Sequence, residues 1–229
     1  MNDNPLVSVI MPVYNGERYV AEAIDSVLAQ AYDQIEVIVV DDGSTDNSAG
    51  IVKNYAPLRY CFQPHGGIGM ALNHGIMEAR GSFFAFLDAD DLWTNDKLIS
   101  QMTVFKNNPK LDIVFGHVVH FFSHEMDENV RRKLKCSDQS MPGYCKGTMI
   151  IKREAFLSIG HFSTSWKLGD FFDWYLRAME KGLTSFMMPE VILKRRIHNS
   201  NTVIRERNYQ IHYIRILKAA LDRRRNKEA

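Results

Sequence analysis

Cysteine is scarce in this 229-residue chain, and its three cysteines are not arranged to act together. Cys61, Cys136 and Cys145 are odd in number and form no Cys-x-x-Cys pair. Their spacing indicates neither a disulfide framework nor a cysteine-based zinc site. Isolated thiols are typical of proteins kept in a reducing compartment, so the sequence predicts a cytoplasmic location.

An excess of charge of either sign is also missing, because 28 Lys and Arg residues nearly balance 27 Asp and Glu residues. This balance gives no reason to expect a nucleic acid as partner. No apolar run approaches the roughly 20 residues that a transmembrane helix needs. The run from Leu6 to Val13 is broken by Ser8 and Pro12, which argues against a signal peptide.

What the chain does contain is the composition of an ordinary globular domain, with 45% hydrophobic and 24% charged residues. Its first half alternates strand and helix patterns. Val7–Met11 and Ile35–Val40 are β-branched runs of the kind found in buried parallel strands, and residues 17–30 between them carry apolar residues at helical spacing. The same alternation continues with a helix at 46–55, a strand at 58–63, a helix near 69–79 and a strand at 83–87.

This order predicts an α/β fold with a mostly parallel sheet and helices on both faces, formed by one domain over residues 1–229. The second half is less regular. Residues 123–143 are polar and predict a loop, and residues 205–225 predict a terminal helix. Between and around these we expect a helix at 95–106, one or two strands at 113–122, a strand at 146–152, a helix at 170–181 and a strand at 191–197.

Three polar clusters each follow directly after a predicted strand. They are Pro12-Val13-Tyr14-Asn15-Gly16, Asp41-Asp42-Gly43-Ser44-Thr45-Asp46 and Asp88-Ala89-Asp90-Asp91. Because the carboxyl ends of parallel strands meet at one edge of a sheet, we expect these carboxylates to line a single crevice. Gathered like charges need a cation or the donor groups of a ligand to offset them.

The third cluster has the chemistry of a divalent metal site. Asp88 and Asp90 place two carboxylates on one short turn after the apolar run Phe83–Leu87. Mg²⁺ and Mn²⁺ prefer oxygen ligands and commonly take one or two carboxylates together with substrate phosphates. The sequence therefore predicts a bound Mn²⁺ or Mg²⁺ and a ligand that carries a diphosphate.

Three segments together resemble the signature blocks of family-2 glycosyltransferases, in the order and spacing of that family: VSVIMPVYNGERYVAEAIDSVLAQ, IEVIVVDDGSTDNS and GSFFAFLDADDLW. With GGIGMALNHGI they cover about residues 6–100, and weaker matches continue over 146–202. The resemblance implies a GT-A fold, which is Rossmann-like. It also implies transfer of a sugar, with inversion, from a nucleotide diphosphate sugar to a hydroxyl of a carbohydrate, lipid-linked or other acceptor.

By position, the resemblance also implies roles for individual residues. It implies a donor half at about 1–100, an acceptor half at about 101–204 and a C-terminal helix at 205–229. Asp90 and His198 match the family's metal-side residues. The chain departs from the family pattern at Leu72, which stands where the family commonly has an Arg before Asn73. The residues that match its donor-binding positions are Pro12, Val13, Tyr14, Asp41, Asp42, Asn73, Asp88 and Arg196.

The general base is expected at the start of the helix predicted for 170–181. The family usually has a Glu-Asp pair there, and in this chain the Glu position falls on Asp170 and the Asp position on Phe171. Asp170 is the favoured base and Asp173 the alternative, since a carboxylate must accept the proton of the acceptor hydroxyl. Asp173 can instead pair with Arg177 at i+4, and both acids can complement the helix dipole.

Three further segments leave alternatives open. Arg196 and His198 match an Arg-x-His element, whose cation would assist a departing diphosphate and whose imidazole could be a metal ligand. His65–Gly69 could present backbone N–H groups to phosphate or form a plain turn. The run Arg223-Arg224-Arg225 is either a solvated helix end or a patch for anionic lipid in peripheral membrane contact.

Competing functions are a nucleotide-sugar-binding module without catalysis, a phospho-acceptor receiver domain and a nucleotidyltransferase. Leu72 and Phe171, which depart from the family pattern, favour the first of these. A receiver domain is shorter and does not explain the Pro12–Gly16 cluster. A nucleotidyltransferase normally has a Gly-rich loop with Arg or Lys after its first strand, where this chain has Tyr14 to Glu17.

Overall fold

The computed structural model describes residues 4–128, 131, 139–166, 168–199, 201 and 211–228. Its first half repeats strand and helix in the predicted order. The elements are β1 (Val7–Val13), α1 (Val20–Leu28), β2 (Ile35–Asp41), α2 (Ser48–Lys53), β3 (Leu58–Phe62), α3 (Ile68–Glu78) and β4 (Phe83–Phe86).

The second half mixes short strands with helices. Its elements are β5 (Leu92–Trp93), α4 (Lys97–Asn107), β6 (Ile113–Phe122), β7 (Met141–Pro142), a 3₁₀ turn (Lys146–Thr148), β8 (Ile150–Lys152), α5 (Arg153–Ile159), α6 (Asp170–Glu180), β9 (Ser185–Ile197) and α7 (Ile211–Glu228).

One sheet joins both halves in the order β3-β2-β1-β4-β8-β6-β9-β5, with β7 paired to β6. The strands β1 to β4 are parallel to one another. β8 runs antiparallel between β4 and β6, and β5 runs antiparallel to β9. The predicted α/β class with its parallel first half is confirmed, and the antiparallel strands belong to the second half.

Alternation along the strands builds two cores, one on each face of the sheet. In β1, Val7, Val9, Met11 and Val13 pack on the face that α1, α2 and α4 cover. Ile10 points to the opposite face, together with apolar residues of α3, α5 and α6. Fully burying one such aliphatic side chain stabilises a fold by roughly 1.5–3 kcal/mol, so this two-sided burial explains why apolar residues occupy both faces of the strand.

The stretch predicted as one strand at 146–152 is instead a 3₁₀ turn followed by the three residues of β8. Hydrogen bonds from α4 and β5 hold this turn. The Trp93 Nε1–H donates to the carbonyl of Gly147 at 3.0 Å, and Lys97 and Gln101 both donate to the carbonyl of Thr148. These side chains come from distant parts of the chain, so local periodicity could not reveal the turn.

Two other segments differ from expectation in extent. β9 begins at Ser185, earlier than the predicted 191, because its first residues pair with Ile113 and its neighbours in β6. The C-terminal helix is described from Ile211, so the predicted residues 205–210 lie outside the described part of the chain. Residues 129–130 and 132–138 of the predicted loop at 123–143 also lie outside it.

Candidate active site

The loops after β1 and β2 are fastened to each other by hydrogen bonds. The side chain of Asn15, a residue with a left-handed φ of 50°, accepts the Thr45 N–H at 2.8 Å. The Ser48 hydroxyl accepts the Gly16 N–H at 2.8 Å. The Glu17 N–H in turn donates to Asp46 at 3.0 Å. The first two sequence clusters therefore form one continuous surface at the carboxyl edge of the sheet.

Asp41 and Asp42 are buried, and both accept hydrogen bonds from their surroundings. Asp41 accepts from the Ser44 N–H at 2.8 Å and from the Tyr60 hydroxyl at 2.8 Å. Burial and the Asp41 charge raise the pKa of Tyr60 to about 12. These contacts show that Asp41 closes the turn after β2.

Asp42 fastens the glycine-rich loop that precedes α3. Its two oxygens accept the N–H groups of Gly66 and Gly67, each at 2.8 Å. The Gln63 amide donates to it at 2.7 Å, and the Nδ1 of His65 lies 2.9 Å from it. Two of the backbone N–H groups of the His65–Gly69 segment, those of Gly66 and Gly67, are therefore bonded to Asp42.

Tyr14 and His65 stand together at the mouth of this region. Tyr14 follows β1 and is half exposed, whereas Pro12 and Val13 before it are buried. The rings of Tyr14 and His65 stack with their centroids 4.1 Å apart. The segment expected beside a nucleotide base thus presents an aromatic pair next to the Asp42 carboxylate.

The third cluster lies on the same edge. β1 is hydrogen-bonded between β2 and β4, so the ends of those two strands are separated by two strand spacings, or about 10 Å. The Asp42 N–H donates to the Val13 carbonyl, and the Leu87 N–H donates to the Ile10 carbonyl. Asp42 and the residues after Leu87 consequently leave the sheet at nearly the same height, on either side of β1.

Asp88 faces a partly buried lysine. The Nζ of Lys146 lies 3.3 Å from Asp88 Oδ2, whereas Asp88 Oδ1 is buried without a hydrogen-bond partner. Burial raises the pKa of Asp88, and the charges of Asp90 and Asp170 raise it further, against the lowering effect of Lys146. Burial alone would lower the pKa of Lys146, but Asp88 and Asp170 raise it above its usual value. Lys146 is therefore a cation placed among carboxylates.

Asp170 is the first residue of α6 and belongs to the same group of charges. It is buried, and its Oδ2 has no hydrogen-bond partner. The preceding Gly169 has a φ of 92°, which a side chain rarely adopts, and a Cβ there would lie 2.6 Å from Ile216. The glycine thus permits the turn that points Asp170 inward.

Asp90 meets the end of β9. The Nε2 of His198 lies 2.9 Å from Asp90 Oδ2, and the Asn201 amide donates to the same oxygen at 3.3 Å. The predicted pair Asp90 and His198 is brought together from 108 residues apart in sequence. No group of three or more His, Cys, Asp or Glu side chains in the described part of the chain is arranged to hold a metal ion by itself.

Arg196 is buried, and its side chain is bound on the far side of this acidic turn. Its guanidinium donates to the Asp90 carbonyl at 3.0 Å and to Glu22 at 2.7 Å, between the rings of Tyr19 and Phe121. Its backbone N–H donates to Asp91 at 2.9 Å. Arg196 therefore holds the turn in place.

The neighbouring Arg195 is exposed, whereas Arg196 is buried, as alternation along a strand predicts. Partial desolvation lowers the pKa of Arg195, but the charges of Asp91, Asp88 and Asp90 outweigh this effect and raise it. Burial and the charges of Asp90 and Asp88 raise the pKa of Asp91 well above its usual value. Arg196 is thus committed to the contacts that hold the turn, whereas the exposed Arg195 interacts electrostatically with the carboxylates.

Asp173, the alternative base, belongs to an ion-pair network. Asp173 Oδ2 accepts from Arg177 Nε at 3.0 Å, as the i+4 spacing predicts, and Arg223 lies 3.8 Å from its other oxygen. Arg177 also donates to the carbonyls of Ile159 and His161. Asp173 thus ties α6 to α7 and to the segment after α5, whereas Asp170 keeps an uncommitted oxygen.

Asn73 and Leu72 have structural surroundings. The Asn73 amide pairs in both directions with the backbone of Phe162, at 2.9 and 3.0 Å. Leu72 is fully buried in the core between the sheet and α3. The apolar residue in place of an arginine is therefore a core residue. Contact of Asn73 with a donor stays a prediction.

Aromatic side chains of α6 divide between the core and a surface ledge. Trp174 is fully buried and stacks on Phe156 with centroids 4.9 Å apart. Phe171 stacks on Tyr175, and the exposed Tyr144 lies against Tyr175 at 5.9 Å. Phe171, Tyr175 and Tyr144 thus form a partly exposed ledge beside Asp170, and here we call it the aromatic ledge.

Lys146 and Arg195 were not assigned a role from sequence. Lys146 stands in a stretch that reads as the start of a strand, with no pattern to mark it as functional. Arg195 adjoins the motif residue Arg196, and only the packing of the strand decides which of the two is buried. The single signal available was that both are basic residues near segments that match the family.

The sequence model that describes glycosyl transferase family 2 matches residues 8–165, which include β1 to α5 and the three clusters. The chain belongs to glycosyl transferase family 2. A relative named as an uncharacterized glycosyltransferase of Rickettsia typhi is 34% identical over 214 residues, covering 87% of this chain and 66% of the relative. The uncharacterized glycosyltransferase EpsJ of Bacillus subtilis is 40% identical over 114 residues, 48% of this chain and 33% of that protein.

This family-2 chain thus spans about two thirds or less of the length of these relatives. Among solved structures, S. aureus TarS 1–349 in complex with UDP superposes with a TM-score of 0.70 at 21% identity, over 84% of this chain and 60% of that one. TarS 1–349 in complex with UDP-GlcNAc gives a TM-score of 0.68 over 86% and 60%. The likeness confirms the GT-A fold.

Membrane-spanning helices are not found in the described part of this family-2 chain, where each helix is too short or too polar to cross a bilayer. Cys61 and Cys145 are free thiols, and Cys136 lies outside the described residues. Burial raises the pKa of both described thiols, so neither is poised as a nucleophile.

Proposed function

We propose that this protein transfers a sugar from a nucleotide diphosphate sugar to a hydroxyl group of an acceptor, with inversion at the anomeric carbon. The observation that carries the proposal is the convergence of Asp88, Asp90 and Asp170 with Lys146 and His198 at one edge of the sheet. These residues come from four separate segments. Such an edge is where open α/β sheets bind their ligands.

The donor half would comprise residues 1–100. The Tyr14–His65 pair offers a ring face to a base, beside the Asp42 carboxylate that lies 2.9 Å from His65. The exposed Arg195, whose pKa the charges of Asp91, Asp88 and Asp90 raise, would meet the diphosphate, while Arg196 holds the turn that carries Asp90. Because TarS has been solved with UDP and UDP-GlcNAc, uridine diphosphate sugars are the first donors to try.

A divalent ion fits the residues present. Asp88 Oδ1 is buried without a partner, and the Asp90 carboxylate and the His198 imidazole are within 2.9 Å of each other. Mg²⁺ or Mn²⁺ would be held by Asp90 and His198, with phosphate and water oxygens as its remaining ligands. When bound, the ion would offset the charge that grows on the leaving diphosphate.

Asp170 would act as general base. Its free oxygen would accept the proton of the acceptor hydroxyl. At the same time the hydroxyl oxygen of the acceptor attacks the anomeric carbon. The bond from that carbon to the diphosphate breaks, and its electron pair leaves with the diphosphate. Lys146 lies close enough to both carboxylates to offset the repulsion between Asp88 and Asp170. The aromatic ledge would receive the acceptor, since ring faces pack against the apolar faces of sugars.

Turnover with a panel of donors tests this function. The protein is incubated with Mn²⁺ or Mg²⁺ and with uridine, guanosine and thymidine diphosphate sugars, and the release of nucleoside diphosphate is measured. We expect slow hydrolysis of at least one donor and faster release when a suitable acceptor is added. The anomeric configuration of the product, read by nuclear magnetic resonance, tests inversion.

Calorimetry on the same panel separates the competing outcomes. Tight binding of a nucleotide sugar with no product across many acceptors would reject transfer of a sugar as the function. It would favour instead the nucleotide-sugar-binding module without catalysis, with which Leu72 and Phe171 agree. If no sugar nucleotide changed either the heat of mixing or the thermal unfolding midpoint, both proposals would be rejected.

A cytoplasmic site of action remains a prediction from the isolated thiols.

A further inference from the structure

The C-terminal helix α7 has one face that packs on α6. Ile216 and Ala220 are buried there, and Ile216 fills the space above Gly169. Arg223 extends from the same side and donates two hydrogen bonds to Glu180, at 2.9 and 3.0 Å. These contacts fix which way the helix is turned.

The opposite side of α7 exposes a stripe of aliphatic residues. Ile214 is 67% exposed, Leu217 is 46% exposed and Leu221 is 54% exposed. Spacings of three and four residues put them side by side on one face of the helix, and Ile211 extends it toward the amino end. Four large apolar side chains that lie next to one another on a helix and are open to solvent are unusual on a protein surface and mark a place of contact.

Basic residues border this stripe on both sides. Lys218 and Arg225 follow Ile214 and Leu221 by four residues and lie along one border, while Arg224, seven residues after Leu217, lies along the other. All three are exposed. Within α7 as a whole, six basic residues stand against two acidic ones.

We propose that the outer face of α7, defined by Ile214, Leu217, Leu221 and their basic borders, docks on a membrane surface that carries anionic lipids. Aliphatic side chains of such a helix enter the boundary between headgroups and acyl chains, while Lys and Arg meet the phosphates. The charge favours this occupant over a second copy of the chain. Pairing two copies of this face across a two-fold axis would bring the basic borders against each other.

The position of α7 gives docking a consequence for the proposed function. α7 packs on the helix that begins with Asp170, and the Tyr213 ring of α7 contacts Phe172. Docking would therefore hold the acceptor side of the site near the bilayer surface, where a lipid-linked hydroxyl would be found. This consequence rests on the proposed function, whereas the docking itself does not.

Vesicle sedimentation with the full chain tests the docking. We expect the protein to sediment with vesicles of equal phosphatidylglycerol and phosphatidylcholine. Binding should fall at least tenfold on pure phosphatidylcholine, and also when the salt is raised from 0.05 to about 0.5 M, because each basic residue near an anionic surface adds to the attraction and salt screens it.

Two sets of substitutions locate the contact. Ile214→Ser with Leu217→Ser removes apolar area, and Arg224→Glu with Arg225→Glu reverses the charge of the borders. Each set should weaken vesicle binding at least tenfold. The matched control is Phe62→Ser with Met77→Ser, two side chains of similar exposure outside α7, which should leave binding unchanged. Equal thermal unfolding midpoints show that every variant is folded.

Several results would overturn the proposal. Absence of the wild-type protein from anionic vesicles is one, and equal loss of binding in the Phe62→Ser, Met77→Ser control is another. Light scattering that shows a dimer, dissociated by the Ile214→Ser, Leu217→Ser variant, would assign the face to a second copy instead. Since sedimentation needs no turnover, failure here leaves the test of sugar transfer independent.

Discussion

Two acidic clusters lie at the carboxyl edge of the sheet, one after β2 and one after β4, and their carboxylates have different partners. After β2, Asp41 and Asp42 accept hydrogen bonds from Ser44 in the same loop and from Tyr60, Gln63, Gly66 and Gly67 in the segment from β3 to α3. After β4, Asp88 and Asp90 instead face Lys146 and His198, which arrive from the second half of the chain. Both clusters look alike in sequence, since each is a pair of Asp residues after a buried strand.

The difference teaches what each cluster can do. A carboxylate saturated by backbone N–H groups is stabilised where it stands and can release them only if its loop rearranges. A carboxylate paired with a side-chain cation, and with a free oxygen as in Asp88, can exchange that partner for a ligand. The cluster after β2 therefore shapes the edge of the site, and the cluster after β4 carries its reactive charge.

The sharpest version of this comparison lies within α6. Asp170→Asn should lower kcat by roughly 10²–10⁴-fold, the usual contribution of a general base, with donor affinity and the unfolding midpoint unchanged. Asp173→Asn should instead lower the unfolding midpoint, because Asp173 is paired with Arg177. Steady-state kinetics and thermal unfolding measure the two effects. Retained turnover in Asp170→Asn would reject Asp170 as the base.

The two clusters themselves can be compared by one substitution in each. Asp90→Asn should lower turnover by roughly 10²–10³-fold and remove its response to added Mn²⁺, because Asp90 is the proposed ligand. Asp42→Asn should mainly cost stability, about 1–3 kcal/mol, because it leaves one loop N–H without its acceptor. Turnover across a Mn²⁺ titration and denaturant unfolding measure the pair. The comparison fails if Asp42→Asn loses metal response and Asp90→Asn does not.

Lys146 tests whether charge balance in the second cluster matters. Lys146→Met should reduce kcat roughly 10- to 100-fold, since the repulsion between Asp88 and Asp170 would no longer be offset. Lys146→Arg should restore most of the activity, because it keeps the charge. The exposed Lys106→Met serves as control. Equal loss in the Met and Arg variants, with lowered unfolding midpoints in both, would make Lys146 a packing residue only.

Glu36 extends the comparison to a carboxylate with structural partners alone, and its effect is the smallest expected. Burial by itself would raise the pKa of Glu36, but hydrogen bonds from Ser8 and from the N–H groups of residues 80 and 81 outweigh it and lower the pKa. A lowered pKa in the folded state adds stability above the unfolded pKa, and this stability is lost as the pH falls.

Glu36→Gln should therefore lower the free energy of unfolding by about 1 kcal/mol at pH 7 and by less below about pH 4. Urea unfolding at the two pH values measures the difference, with the exposed Glu190→Gln as control. A gap between wild type and Glu36→Gln that widened in acid would contradict the assignment.

Much of the fold followed from local pattern. The apolar runs of β1 and β2 are confirmed as adjacent parallel strands, because continuous β-branched runs between helices have few other ways to be buried. The 3₁₀ turn at Lys146 was missed, because contacts from α4 and β5 hold it. In α7, Leu217 and Leu221 are exposed while Ile216 and Ala220 are buried, a division that the apolar pattern alone does not reveal.

The sequence by itself determined the class of the fold, the family and the edge of the sheet at which the acidic clusters gather. These depend on patterns local to each segment and on the general rule that parallel strands end together. Only the tertiary structure decided that Asp42 is occupied by the loop before α3, that the Arg196 side chain is bound to Glu22 and the Asp90 carbonyl, and that Lys146 faces Asp88. The reason is physical: the partner of a charge is set by which distant segments pack against it.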